Sequence, residues 1–212
     1  MTGAHARLRW LAHQFARPRG LLGRFVVAPW LDRIAEPTNA LVLQELAIGE
    51  CDDFLEVGFG GGALLAAARA RTSGRVGGAD ISPAMVARAK RRLGPGAVIV
   101  RASVEALPFA AGAFNKAASV ASLYFWPDPA AAMAELARVL RAGGQLAIAF
   151  EPPEELAKWP GSRFGFRAWS EEEARALMEG AGFGDIRTAW GTGRKPDRFL
   201  CLTGTRRGGD AL

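Results

Sequence analysis

Short apolar runs alternate with stretches of helical periodicity from about residue 38 to residue 203, a pattern typical of parallel βαβ construction. The alternation predicts strands at residues 54–57, 75–79, 97–100, 116–120 and 145–150. Two further runs, at residues 185–190 and 198–203, are predicted to be strands joined by a glycine-rich turn. The pattern therefore predicts a layered α/β domain.

Capping residues mark where the intervening helices begin. Thr38 is suited to cap a helix that precedes the first strand. Ser82 followed by Pro83 suits the N-cap and first position of a helix after the second strand. Ser170 and Glu173 have the capping-box spacing, which predicts a helix after the fifth strand.

A chain of 212 residues, of which 50% are apolar, is long enough to bury one full core, and three-layer α/β is the architecture we expect. We divide it into an N-terminal arm at 1–37, a main domain at 38–205 and a flexible tail at 206–212. The arm carries apolar residues at helical spacing, namely Leu8, Leu11, Ala12 and Phe15, with basic residues around them. Such a helix could cover an acceptor site, contact a membrane surface or pack on the domain.

The formal net charge is +6 and is concentrated at the two ends of the chain. Residues 1–37 hold six Arg against two acidic residues, and residues 194–212 hold five Lys or Arg against two. Basic ends could attract an acidic substrate, RNA or anionic lipid, but no aromatic-interleaved RNA-binding motif accompanies them.

No apolar run reaches a membrane-spanning length and no signal peptide is evident, so we expect a cytoplasmic protein. Cys51 and Cys201 have no metal or redox spacing, and we expect no metal site.

The most informative segment is Leu-Glu-Val-Gly-Phe-Gly-Gly-Gly, at residues 55–62. It places Glu56 just before a glycine-rich turn, at the end of a predicted strand, where backbone N–H groups can approach an anionic ligand. Gly58, Gly60 and Ala63 also satisfy the dinucleotide pattern G-x-G-x-x-G/A. The turn could therefore hold a dinucleotide or another nucleotide-type cofactor. Asp80, at the end of the second strand, could accept hydrogen bonds from the ribose hydroxyls of either one.

Three downstream motifs separate these alternatives, at residues 105–109, 123–129 and 138–144. Together with the glycine segment they resemble the class I S-adenosylmethionine (SAM)-dependent methyltransferases, in the small-molecule branch related to ubiquinone and menaquinone C-methyltransferases. The resemblance covers about residues 40–204. It implies a Rossmann-like sheet of seven strands whose last strand is antiparallel, with helices on both faces and the N-terminal helical arm added.

The resemblance also implies roles around the methionine end of SAM. Glu56 would receive the methionyl ammonium, directly or through water. Gly58 and Gly60 would pass beneath the carboxylate and sugar, and Ser119 and Val120 would line the floor beside the methionyl arm.

At the nucleoside end, the resemblance implies that Asp80 holds the ribose and that Ile81 packs on the adenine. Ser103 and Val104 occupy the positions where the family usually has Asp-Ala, the acidic residue accepting from the adenine amino group. Replacing that carboxylate by a hydroxyl is expected to weaken binding by about 1–2 kcal/mol.

Acceptor contacts are expected from the segment after the fourth strand and from the insertion at residues 151–169. Tyr124 lies where relatives often carry His, so it could orient an acceptor, relay a proton or form an aromatic wall. Trp126, Trp159 and Arg163 are the other candidate substrate contacts. This mixture suits an apolar or aromatic acceptor that carries an acidic group.

The sequence thus predicts an enzyme that transfers a methyl group from SAM to a small, hydrophobic or aromatic molecule, leaving S-adenosylhomocysteine. A SAM-binding module without transferase activity is the alternative suggested by Ser103 and by the lack of an evident base. An RNA methyltransferase using the basic ends ranks lower, because no Asn-Pro-Pro-Tyr motif is present, and a nicotinamide oxidoreductase ranks lowest. We expect no DNA partner. The acceptor, the atom methylated and the oligomeric state are left open by the sequence.

Overall fold

The computed structural model of the chain describes residues 7–10, 12, 28–193 and 197–208. Residues 7–10 and 12 are helical. The following helices are α1 Ala28–Ile34, α2 Glu36–Leu46, α3 Ala63–Arg69, α4 Pro83–Leu93, α5 Pro129–Val139, α6 Pro153–Leu156 and α7 Glu171–Gly180. The strands are β1 Phe54–Val57, β2 Val76–Asp80, β3 Val98–Arg101, β4 Phe114–Val120, β5 Leu140–Phe150, β6 Phe183–Thr192 and β7 Arg198–Arg206. Short 3₁₀ turns lie at Gly94–Gly96, Leu123–Phe125 and Pro160–Arg163.

These seven strands form one sheet in the order β3-β2-β1-β4-β5-β7-β6. Strands β1 to β5 pair in parallel, whereas β7 is antiparallel to both β5 and β6. The predicted Rossmann-like fold with an antiparallel last strand is therefore confirmed. The strand order reverses between β1 and β4, and ligands of open α/β sheets bind at the carboxyl ends of the strands beside such a reversal.

Both faces of the sheet are covered by apolar side chains. Phe54 of β1 packs in the layer that contains Leu46 of α2 and Leu64 of α3. Its neighbour Leu55 points into the opposite layer, which contains Leu136 of α5. Alternate residues of β1 are thus buried on opposite faces, as a central parallel strand requires, and each large side chain contributes about 1.5–3 kcal/mol by burial.

Helix starts agree with the sequence where the capping residue makes its bonds. The Ser170 hydroxyl accepts from the Glu173 N–H at 3.2 Å, and the Glu173 carboxylate accepts from the Ser170 N–H at 2.9 Å. The expected Thr38 cap is wrong, because α2 begins at Glu36 with Pro37 in its first turn. Proline at this position is pre-shaped for a helix start, so the chain turns helical earlier.

Other boundaries differ by a few residues. Strand β5 begins at Leu140, before the predicted residue 145, because it pairs with Phe114 of β4 across a register shift. Strand β7 includes Arg206, and the Arg207 N–H donates to the Gly182 carbonyl at 3.0 Å, so the chain remains paired into the segment expected to be tail. In the arm, Leu11 and Phe15 lie outside the described residues, whereas Ala12 is buried.

Within the described part of the chain, none of the helices combines the length and apolarity needed to cross a bilayer. The same residues contain no group of three or more His, Cys, Asp and Glu arranged to hold a metal ion. Cys51 is exposed and Cys201 is buried, and both are free thiols.

Candidate active site

The loop between β1 and α3, residues 58–62, is a tight glycine-rich turn. Gly58, Gly60 and Gly62 have φ angles of 65°, 50° and 75°, a region that favours glycine. A Cβ on Gly58 would lie 2.5 Å from the Cβ of Ser122, so this residue packs closely against the loop that follows β4. A Cβ on Gly60 would meet nothing within 4 Å. The turn therefore borders open space at Gly60.

Asp80 closes β2 and faces this turn. Its two carboxylate oxygens accept from the Gly60 N–H at 3.0 Å and from the Ser82 N–H at 2.7 Å. Burial raises the pKa of Asp80 to about 6, although both hydrogen bonds act in the opposite direction. Ser82 is the N-cap before Pro83, as the sequence predicts, but its side chain makes no cap hydrogen bond, and its backbone N–H is the group that binds Asp80.

Glu56 is the most unusual polar group in this region. It is buried, and its Oε2 has no hydrogen-bond partner among the described residues. Burial raises the pKa of Glu56 well above 4.5, and the nearby charges of Asp80 and Asp32 raise it further. Buried carboxylate oxygens are rarely left without partners, so this atom indicates a place for a hydrogen-bond donor or cation.

Ser103 lies two residues beyond β3, next to the end of β2. The Ala102 N–H donates to the Asp80 carbonyl at 3.2 Å, which ties this loop to β2. The Ser103 hydroxyl donates to the Glu105 carboxylate, and Glu105 also accepts from the Asp128 N–H at 3.2 Å. A carboxylate is thus present two residues beyond the position where the family pattern expects it. Glu105 belongs to one of the sequence motifs, but its pairing with Ser103 is visible only in the structure.

Ile81 and Val104 occupy different environments in this part of the fold. Ile81 is 38% exposed at the end of β2, so its side chain is available to a ligand. Val104 is partly buried against the core layer that contains α5.

The end of β4 carries a small network of hydroxyl groups. Ser119 is fully buried, and its Oγ lies 2.7 Å from the Oγ of Ser122. The indole N–H of Trp126 also donates to Ser122 Oγ, at 3.2 Å. Val120 packs against the core layer that contains α2 and α3. Ser122 was missed by the sequence analysis, and its contact with Gly58 shows why both loops require small residues.

Tyr124 is buried in the 3₁₀ turn after β4. Its hydroxyl accepts from the Glu151 N–H at 2.6 Å. Burial, followed by the charge of Glu151, holds the pKa of Tyr124 far above its usual range. The side chain therefore remains a neutral phenol at physiological pH, able to donate a hydrogen bond but unable to act as a general base.

Tyr124, Phe125, Trp159 and Phe166 form an aromatic cluster. The Phe166 ring centroid lies 5.5 Å from Tyr124, 4.5 Å from Phe125 and 5.3 Å from Trp159. Centroid separations of this size are typical of tilted and edge-to-face aromatic pairs. Arg163 is exposed, and its guanidinium contacts the Pro160 carbonyl and the Phe164 ring. The insertion thus brings Trp159 to Tyr124 through Phe166, a residue that is absent from the sequence-based site prediction.

Comparison with known proteins identifies the family. A family model described as a methyltransferase domain matches residues 55–148. The uncharacterized methyltransferase YdaC of Bacillus subtilis (strain 168) is 31% identical over 168 residues, which cover 78% of this chain and 89% of that protein. The chain belongs to the SAM-dependent methyltransferases.

Two other matches show how far the likeness of this methyltransferase extends. The chloroplastic 2-methyl-6-phytyl-1,4-hydroquinone methyltransferase 2 of Oryza sativa subsp. japonica is 33% identical over 113 residues, 51% of this chain but 32% of that protein. A Haloferax volcanii methyltransferase, solved in complex with the Trm112 methyltransferase activator, has a TM-score of 0.78 and 20% identity. That match covers 87% of this chain and 94% of the other, and at such identity it shows the fold alone.

Membership of this family implies the use of SAM, and the site of the methyltransferase fits that cofactor. The unpartnered Oε2 of Glu56 suits a cationic group, and Asp80 offers a buried carboxylate beside it. The open space at Gly60 provides a surface on which a ligand can lie. The acceptors present are therefore those that an ammonium group and ribose hydroxyls require.

Proposed function

We propose that this methyltransferase transfers the methyl group of SAM to a small, hydrophobic or aromatic acceptor and releases S-adenosylhomocysteine. The observation that carries the cofactor part is the buried, unpartnered Oε2 of Glu56. The aromatic cluster beside Tyr124 supports the acceptor part. A cytoplasmic location, a small-molecule partner and the absence of a DNA partner belong to the same proposal.

The methionine end of SAM is assigned to the β1–β4 side of the site. Glu56 would bind the ammonium group, which satisfies its free oxygen and favours its ionised form. Gly58 and Gly60 would lie beneath the carboxylate and sugar, with the open space on the Gly60 side of the turn. Ser119 and Val120 would line the floor, with Ser119 oriented by its contact with Ser122.

The nucleoside end is assigned to the ends of β2 and β3. Asp80 would accept from the ribose hydroxyls while the Gly60 and Ser82 N–H groups keep its carboxylate in place. Ile81 would cover one adenine face, and Val104 would border the base. Ser103 would act together with Glu105, whose carboxylate supplies the negative charge that the serine lacks.

When bound, SAM supplies an electrophilic methyl group and its own leaving group, so the protein chiefly has to orient the reactants and exclude water. Tyr124 would hold an acceptor oxygen by donating a hydrogen bond, since its hydroxyl remains protonated. Trp126, Trp159 and Arg163 are proposed to border the acceptor, with Arg163 at the exposed rim. With Tyr124 as a donor and not a base, a phenol or hydroquinone acceptor would release its proton to water. The name of the rice relative, a hydroquinone methyltransferase, supports that class.

An RNA methyltransferase is the second candidate, and the basic residues at both chain ends favour it. Incubating the protein with SAM and either a panel of phenols and hydroquinones or mixed RNA would separate the two. We expect S-adenosylhomocysteine to form with a member of the small-molecule panel. Turnover with RNA alone would overturn the acceptor assignment, and SAM binding without turnover would favour a binding module.

A further inference from the structure

The carboxylate of Asp32, in helix α1, rests directly on the glycine-rich turn. A Cβ built on Gly61 would lie 2.2 Å from Oδ1 of Asp32, which is closer than real Cβ atoms approach. The Asp32 side chain is only 15% exposed. A side chain on Gly61 would therefore displace the Asp32 carboxylate from its present position. Gly60, its neighbour, borders the open side of the turn.

Two arginines of α4 hold this carboxylate. Terminal nitrogens of Arg88 and Arg92 each lie 2.9 Å from Oδ2 of Asp32. The other terminal nitrogen of Arg92 donates to the Gly61 carbonyl at 2.8 Å. A partly buried carboxylate shared by two guanidinium groups forms charge-assisted hydrogen bonds, which are stronger than those of an isolated surface pair. One carboxylate thus joins α1, the turn and α4.

The turn is consequently held from two sides. Asp80 binds the Gly60 N–H on the side assigned to the cofactor, and Arg92 binds the Gly61 carbonyl from α4. These groups belong to consecutive residues, so loss of the Arg92 contact would remove one of these two restraints on the turn. Asp32 and Arg92 also lie close enough to Glu56 to act on its pKa, which the charge of Asp32 raises and the charge of Arg92 lowers.

We propose that Asp32, Arg88 and Arg92 form an ionic latch that fastens α1 to the outside of the glycine-rich turn and holds the turn in its SAM-binding shape. Asp32 and Arg92 are positioning residues, because they act on the cofactor through Gly61 and not by touching it. The inference rests on the proposed use of this turn for SAM. It assigns α1 a specific task, retaining the cofactor, within an arm for which the sequence left several roles open.

The test compares Asp32→Ala, Asp32→Asn and Arg92→Ala with the matched control Arg141→Ala. Arg141 makes a cross-element ion pair with Asp53 at the amino edge of the sheet, away from the glycine-rich turn. We expect the latch variants to weaken SAM binding about tenfold, mainly through faster dissociation, which is the usual origin of affinity differences. The control variant should change the dissociation constant for SAM by less than about twofold, even if its melting temperature falls as far as those of the latch variants.

Gly61→Ala provides an independent route, because it displaces Asp32 while all charges remain. It should match Asp32→Ala in calorimetry and in stopped-flow measurement of SAM release. Latch variants that bind SAM as tightly as Arg141→Ala would overturn the inference. If the unaltered protein binds no SAM, the proposed function fails instead. Hydrogen exchange of residues 28–34 without ligand then decides the latch: faster exchange in Asp32→Asn supports it, and unchanged exchange rejects it.

Discussion

The two halves of the candidate site differ in the chemical groups that form them. Around the ends of β1 and β2, the site consists of glycines, backbone N–H groups and buried carboxylates, and Glu56 leaves one oxygen without a partner. Around the ends of β4 and β5, it consists of aromatic rings that contact each other, and the Tyr124 hydroxyl already accepts from Glu151. The unpartnered oxygen in the first half indicates a cationic or hydrogen-bond-donating group of the ligand. In the second half, the polar atoms of Tyr124 and Trp126 already have partners, so this half indicates only an apolar class of acceptor.

Gly58 is where the two halves meet, and Gly58→Ala should have the largest effect. The new Cβ would lie 2.5 Å from Ser122 and force an alanine to adopt a φ of 65°. We expect SAM affinity to fall about 100-fold, which corresponds to about 2.7 kcal/mol. Isothermal calorimetry would measure it.

Gly143→Ala is the matched control for Gly58→Ala, since Gly143 has a φ of 75° but nothing within 4 Å of a built Cβ. It carries similar backbone strain without the clash. Equal SAM affinities for the two variants would show that the junction between the halves is unimportant for the cofactor.

Asp80→Asn should have the next largest effect, weakening SAM binding about tenfold at pH 7.5 through loss of charge-assisted hydrogen bonds to the ribose. The pKa of Asp80 is raised to about 6, so the carboxylate is ionised above that pH and protonated below it. Affinity of the unaltered protein should therefore fall as pH drops from 7.5 to 5, and Asp80→Asn should show a shallower decline. Asp53→Asn, at the opposite edge of the sheet, serves as control. An identical pH profile for Asp80→Asn would remove Asp80 from the ribose site.

Tyr124→Phe should have the smallest effect, and it should affect the acceptor half of the site without affecting the cofactor half. SAM affinity should stay within about twofold, while turnover of a phenolic acceptor should fall about three- to tenfold, as expected for the loss of one hydrogen bond. Because the pKa of Tyr124 lies far above its usual range, no tyrosine ionisation should appear in the rate profile between pH 6 and about 9. A thousandfold loss of turnover would instead give Tyr124 a proton-transfer role.

The same contrast explains what the sequence could predict. Glu56, Gly58 and Asp80 lie at strand ends, where a local motif fixes both the residue and its place in the fold. Asp32 of helix α1 contacts Arg92, which lies 60 positions further along the chain. A contact between such distant residues leaves no local pattern in the sequence. The pairing of Ser103 with Glu105 and the central place of Phe166 likewise depend on how loops pack after the sheet has formed.

The central claim is that Glu56 and the glycine-rich turn hold SAM, and calorimetry with SAM and NADH side by side tests it most directly. Because the methionyl ammonium favours the ionised form of Glu56, binding should act against the burial that raises the pKa of this carboxyl, and loss of the charge in Glu56→Gln should weaken SAM binding about tenfold. We expect one SAM per chain and no binding of NADH. Binding of NADH without SAM, or unchanged SAM affinity in Glu56→Gln, would contradict the account.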